Sequence, residues 1–339
     1  MPELPLQLSQ ENRETRPQSL EVFLTFAAGE TEVDTAERRP NVFIVGAPKC
    51  GTTALFAYLK NHPEIFMSAI KEPQYFAEDI RGGQRKIRTL REYLNCFAAA
   101  NGQKRIGEAS TVYLGSKEAA GKIKHFSSDA QIIIMLRNPV DVMYAEHSER
   151  VFSNLEHIGN FEAAVDSNVA RKHRVGPFKG QTILCCGYRE LSRFAQPVKT
   201  YFEIFGRENV HVIVYDDLEA DSSEVFAGVL RFLQVAEAPG KKDSRINANR
   251  RARNMAVQDF LRHPPKRLRR LARMILPQSL RLATGNAVRR LNVVYEPRAP
   301  LGEMLRARLQ RECRPDIEEL SRLINRDLSH WCGSGHKFP

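Results

Sequence analysis

Apolar residues in this chain come in two patterns. Residues 42–45, 130–136 and 209–215 are short, nearly unbroken runs rich in Val and Ile, the composition of parallel strands buried on both faces. Between and after them, apolar positions recur every three or four residues. They do so over 54–60, through most of 161–233, and at Ile317, Leu320, Leu323, Ile324 and Leu328, as one face of a packed helix requires. The first of these helices must stop before His62-Pro63, because a residue preceding proline is pushed out of the helical region. A short extended run is expected next. Strand and helix in alternation predict an α/β fold: a central parallel sheet with helices on both faces, its ligand at the carboxyl ends of the strands.

The pattern also divides the chain. Residues 1–40 are polar around one apolar patch, Val22 to Phe26, and are expected to be a disordered or loosely docked tail. Residues 41–332 form the single domain, with a basic helical segment over 260–295, and 333–339 form a short tail. At 339 residues, 42% hydrophobic and 27% charged, a full core can be buried. No stretch approaches the roughly 20 apolar residues that cross a bilayer, and residues 1–40 lack the basic-then-apolar order of a secretory signal. A cytoplasmic location is expected. The six cysteines, Cys50, Cys96, Cys185, Cys186, Cys313 and Cys332, have neither disulfide-scaffold density nor C-x-x-C metal spacing, so free thiols and no metal are expected.

The net charge of +11 is concentrated. From Arg262 to Arg290 there are nine basic residues and no acidic one, which leaves the remainder near balance. Such a segment suits an anionic surface or acceptor.

The candidate chemistry begins where the first strand ends. Gly46-Ala-Pro-Lys-Cys-Gly-Thr-Thr53 is a glycine-bounded loop running into a helix, whose free N–H groups and positive dipole end attract an anion. Lys49 adds a full charge. In the ATP- and GTP-binding pattern G-x-x-x-x-G-K-[ST] the lysine falls three residues later. Pro48-Lys49-Cys50-Gly51-Thr52-Thr53 instead resembles the loop of sulfotransferases that use 3′-phosphoadenosine-5′-phosphosulfate (PAPS), where it holds the 5′-phosphosulfate.

Other segments extend the resemblance to residues 41–332 and to the bacterial sulfotransferases related to the heparan sulfate and glycan enzymes. Lys71-Glu-Pro-Gln-Tyr-Phe76 is similar to the family's Lys-Glu-Pro-x-aromatic-Phe element. The resemblance implies that Glu72 deprotonates the acceptor hydroxyl and that Lys71 helps neutralise the sulfuryl group. Glu72 lies 23 residues after Lys49, about enough for a helix and a return strand. Gly107-Glu-Ala-Ser-Thr-Val-Tyr-Leu114, read as a loop entering a strand or short helix, resembles a further family segment. Two departures matter: Thr111-Val112 stands where the family commonly has a proline, and Ala109 where the heparan sulfate members have a lysine, so no second catalytic lysine carries over. Glu108 either orients loop groups or is a surface carboxylate.

The strand over 130–136 ends in Arg137, matching the family arginine that grips the 3′-phosphate. The family's serine eight residues on is Ala145 here. Ser148, one helical turn further, is the candidate substitute, or arginines act alone. Asp216 and Asp217, at the end of the third strand, are read as a helix-capping turn and not as a magnesium site. Residues 245–255 resemble the family segment that closes over the adenosine and 3′-phosphate, which aligns Arg253 with its arginine. The C-terminal helix and Asp-Leu-Ser-His-Trp331 resemble the closing element and are assigned to stability.

The resemblance thus implies a P-loop-containing sulfotransferase-like fold that moves the sulfuryl group of PAPS to a sugar or other small-molecule or glycan hydroxyl and releases 3′,5′-ADP, without metal. Two alternatives remain from the residues alone. One is a P-loop kinase-like phosphotransferase, which would need ATP and Mg²⁺. The other is a nucleic-acid or membrane-surface binding protein using the basic segment, whose binding would weaken steeply with salt. Acceptor identity and oligomeric state do not follow from the sequence.

Overall fold

A computed structural model describes residues 38–81, 87–153, 155–171, 187–237, 250–254, 257, 260, 274, 288, 291–296 and 298–333. The expectations for the N-terminal tail, for Cys185 and Cys186, for the C-terminal tail beyond Gly333 and for most of the basic segment fall outside those residues. Arg39–Pro339 is one compact unit.

Five parallel strands make the sheet in the order β2-β3-β1-β4-β5. They are β1 (Val42–Gly46), β2 (Ile65–Met67), β3 (Arg105–Ala109), β4 (Gln131–Leu136) and β5 (Val210–Val214). Every residue of β1 and β4 is buried. Helices cover both faces of the sheet, so neither strand can alternate apolar with polar positions. The unbroken apolar runs in the sequence are the direct record of that burial.

Each strand feeds an element that carries part of the site. β1 leads into helix α1 (Thr52–Lys60) through the glycine-bounded loop. A Cβ on Gly46 would come within 2.6 Å of the Cβ of Leu114, so only glycine lets the loop leave the sheet there. β4 leads into α2 (Pro139–Phe152), whose start is fixed by Asn138 accepting the Val140 N–H at 3.0 Å and by proline at the first helical position. β5 runs directly into α3 (Tyr215–Ala220). The long C-terminal helix α4 (Glu303–Ile324) packs against α2 and leads to the buried Trp331.

Three expectations are corrected. Residues 105–109 are the strand, so Gly107-Glu-Ala closes β3 instead of entering a new element, and a turn follows from Ser110. Asp216 and Asp217 do not cap a helix. The N-cap position of α3 is Val214, with no side-chain cap, and the two carboxylates pair with the C-terminal segment. Asp217 takes both arms of the Arg326 guanidinium, and Asp216 Oδ2 accepts Trp331 Nε1–H at 2.7 Å and contacts His330 Nε2 at 2.6 Å. Finally, residues 293–295, expected to close the helical segment over 260–295, are a strand instead: β7 (Val293–Tyr295) pairs with β6 (Arg250–Ala252) in an antiparallel ribbon. Three-residue strands about 40 positions apart are too short to show a period.

Candidate active site

The strand order sets the site out in a line. β3, β1 and β4 are neighbours, so the turn after β3, the loop after β1 and the arginine after β4 stand side by side along one sheet edge. In the loop, Gly51 caps α1 in a left-handed conformation with φ 92°, and Lys49 is also left-handed at φ 63°. A non-glycine residue held there costs on the order of 1–3 kcal/mol. The conformation aims the backbone of Pro48 to Thr53 around the helix start, where the first N–H groups have no intrahelical partner. Thr52 is buried and Thr53 partly so. Burial pushes the Cys50 thiol up to about 12, against the pull of Arg137 and Lys49. The thiol fills space, and those opposing pulls mark two cations converging on one loop.

Lys49 Nζ lies 3.3 Å from Glu149 Oε2 on α2. Glu149 is an acidic neighbour that the sequence reading did not single out. Both side chains are about 30% accessible, 26% and 31%, so the lysine is tethered over the loop while remaining open to a ligand.

Glu72 is held more firmly than its motif alone suggests. Its N–H donates to Ala109 O at 2.9 Å, which docks the Lys71–Phe76 turn on the end of β3. Its carboxylate accepts from Thr111 N–H at 3.0 Å, Thr111 Oγ1 at 3.1 Å, Lys71 Nζ at 3.0 Å and Gln74 Nε2 at 3.3 Å. Glu72 and Lys71 thus form an ion pair on that turn. Thr111 is the residue missed: in the sequence it was only a departure from a family proline.

Glu108 is no surface carboxylate, which overturns one of its two readings. It is 0% exposed and accepts from Tyr93 Oη at 2.6 Å, Tyr113 Oη at 3.0 Å and Ser110 Oγ at 2.7 Å. Burial pushes its pKa up to about 7, although the three hydroxyls pull the other way.

At the far side of the loop, Arg137 stacks on the Tyr215 ring with its guanidinium 4.3 Å from the ring centre. Ser148 Oγ donates to Tyr144 O at 3.0 Å and accepts Arg298 Nε–H at 3.2 Å. Arg298 was not foreseen. It is 150 positions from Ser148 and follows Pro297 in a stretch read only as the approach to the closing helix. Burial first, and then the charge of Arg137, push its pKa down. Two guanidiniums that repel each other in a partly buried corner form a site whose electrostatics improve when an anion enters. Arg253 stands after β6 with its N–H donated to Asn292 O at 2.7 Å. Its side chain is exposed. No group of three or more His, Cys, Asp or Glu among the described residues is placed to hold a metal, and no helix among them is long and apolar enough to cross a membrane.

This fold, with a glycine-bounded loop at a helix start, a tethered carboxylate and an arginine corner along one sheet edge, defines the class. The family model of the sulfotransferase domain matches residues 39–256, and the chain belongs to the sulfotransferase family. A solved sulfotransferase from Alicyclobacillus acidocaldarius aligns with TM-score 0.63 and 27% identity over 86% of this chain and 98% of its own. Human carbohydrate sulfotransferase 15 is 28% identical over 156 residues, 34% of this chain and 28% of its own. Human heparan sulfate glucosamine 3-O-sulfotransferase 6 is 29% identical over 140 residues, 41% of this chain and 37% of its own. The chain spans less than half the length of these curated relatives.

Proposed function

We propose that this protein transfers the sulfuryl group of PAPS to the hydroxyl of a sugar or another alcohol and releases 3′,5′-ADP. The observation that carries the reading is the meeting of Glu72, Lys71 and Thr111 beside the loop that bears Lys49. In the reaction, the acceptor oxygen attacks sulfur in line. Its proton goes to Glu72, and the bond from sulfur to the bridging phosphate oxygen breaks with its electron pair left on 3′,5′-ADP. Lys49 and the N–H groups around the start of α1 stabilise that growing charge, and Lys71 offsets charge on the sulfuryl oxygens. Arg137 with Arg298, and Ser148 between α2 and Arg298, suit the 3′-phosphate. Arg253 closes over it from β6. Pro48, Cys50, Gly51, Thr52 and Thr53 supply the backbone cradle. The scheme routes no step through a metal.

The test uses the full chain. 3′,5′-ADP titrated calorimetrically in EDTA should bind, and labelled PAPS offered with a panel of sugar, lipid and phenol alcohols should yield a sulfated product. Binding of ATP that depends on Mg²⁺, with no response to 3′,5′-ADP, would overturn the reading in favour of phosphoryl transfer.

A further inference from the structure

Glu108 lies inside the domain, yet two of its three partners lead to the turn that carries Glu72. Ser110 Oγ donates to Glu108 and accepts the Gln74 N–H at 2.9 Å. Tyr113 Oη donates to Glu108 and accepts the Phe76 N–H at 3.3 Å. Tyr93, the third donor, stacks on Tyr75 of the same turn at 4.7 Å between ring centres. The turn needs such support. On either side of Pro73, Glu72 and Gln74 both sit in the left-handed region at φ 61° and 57°, which side chains other than glycine rarely adopt.

We propose that Glu108 is a positioning residue for Glu72, acting through the relay hydroxyls of Ser110 and Tyr113. The proposal rests on Glu72 being the base of the sulfuryl transfer described above. A carboxylate only accepts hydrogen bonds. While Glu108 is ionised, each relay hydroxyl points its proton inward and turns a lone pair toward a loop N–H. Once Glu108 carries a proton, that proton is donated to one of its hydroxyl partners; where Ser110 or Tyr113 receives it, the hydroxyl turns its own hydrogen away from the carboxylate and its hold on the loop N–H is redirected.

The titratable groups around Glu108 are Glu72, Tyr93, Tyr113, Tyr201 and Cys96. Burial pushes the three tyrosines well up and Cys96 up to about 11, so these remain neutral where Glu108 changes charge, about pH 7. The relay reverses in the neutral range.

The test compares Glu108→Gln, Ser110→Ala and Tyr113→Phe with the unaltered protein. Three readouts are used: formation of 3′,5′-ADP from PAPS in the presence of the acceptor alcohols, calorimetry with 3′,5′-ADP, and hydrogen exchange at the Gln74 and Phe76 amides. Glu108→Gln should lower turnover about 10–100-fold, the effect of a misplaced reacting group, and leave 3′,5′-ADP affinity unchanged. It should also remove the rise in turnover through pH 7 and speed exchange at both amides. Should Glu108→Gln not fold, Tyr113→Phe carries the test, because Tyr93 and Ser110 still pair the carboxylate while the relay to Phe76 is cut. Normal turnover with unchanged amide exchange overturns the proposal, as does a parallel fall in turnover and nucleotide affinity. If the unaltered protein neither binds 3′,5′-ADP nor forms it from PAPS with any alcohol of the panel, the functional reading fails, and the amide exchange still decides the positioning role.

Discussion

Thr111 grips Glu72 by both oxygens, with its backbone N–H on Oε2 and its hydroxyl on Oε1. The carboxylate plane is therefore fixed by the strand end next to β1, and not by the flexible side chain of Glu72 itself. A base held this way is already oriented before an acceptor arrives.

Glu72→Gln should lower turnover by roughly 10²–10⁴-fold, the usual worth of a general base, with 3′,5′-ADP affinity nearly unchanged. Thr111→Val keeps the N–H contact and loses the hydroxyl, so its loss should be smaller, about tenfold. Steady-state rates with calorimetry check both, and near-normal turnover in the Gln variant removes Glu72 from the mechanism.

Lys49→Ala should abolish turnover and weaken 3′,5′-ADP binding. Glu149→Gln acts oppositely on binding: it removes the carboxylate 3.3 Å from Lys49 that competes with the incoming anion. Tightening by a few fold is expected, since a part-exposed pair is worth at most about 1 kcal/mol. Unaltered affinity in Lys49→Ala would sink the loop assignment.

At the arginine corner, Arg137→Ala and Arg298→Ala should each cost about 1.5–3 kcal/mol of nucleotide affinity, the range of a charge-assisted hydrogen bond. Both should erase most of the preference for 3′,5′-ADP over 5′-AMP. Ser148→Ala should cost under about 1 kcal/mol. Restoring the family's serine by Ala145→Ser is expected to gain nothing, because Ala145 is 1% exposed and a hydroxyl there is turned into packed helix. If neither arginine variant changes discrimination, the 3′-phosphate is bound elsewhere.

Stability should carry a mark of Glu108. Its folded pKa is raised from 4.5 to about 7, so between those values the native state keeps a proton that the unfolded chain has released. That contribution is complete below pH 4.5 and is lost as pH rises through 7, by roughly 3 kcal/mol. His211 works the other way, since burial lowers its pKa, but it is common to both proteins in a comparison. Urea midpoints at pH 5 and 8 should fall for the native sequence relative to Glu108→Gln, and parallel curves would refute the buried titration.

The sheet and the loop were legible because their causes are local. Unbroken apolar runs mean strands buried on both faces, and a glycine-bounded stretch between such a run and a helical one means a strand turning into a helix. What was not legible depends on distance in the sequence. Thr111 looked like a lost proline until the β3 end was set beside Glu72, and Glu108 looked as much like surface as core because a carboxylate among Gly, Ala and Ser shows no hydrophobic period. Arg298 had no motif at all, and its meaning comes from α2 and Ser148. The aspartates after β5 were assigned to the nearest local task, capping, when their partners lie more than 100 residues away.

Those aspartates also govern how this protein tolerates shortening. Tyr215, on which Arg137 stacks, is followed at once by Asp216 and Asp217, and both carboxylates are engaged by Arg326, His330 and Trp331. A deletion ending before Arg326 would bare two negative charges directly after Tyr215, on which Arg137 stacks, and so oppose the proposed binding of a phosphate there without altering Arg137 itself.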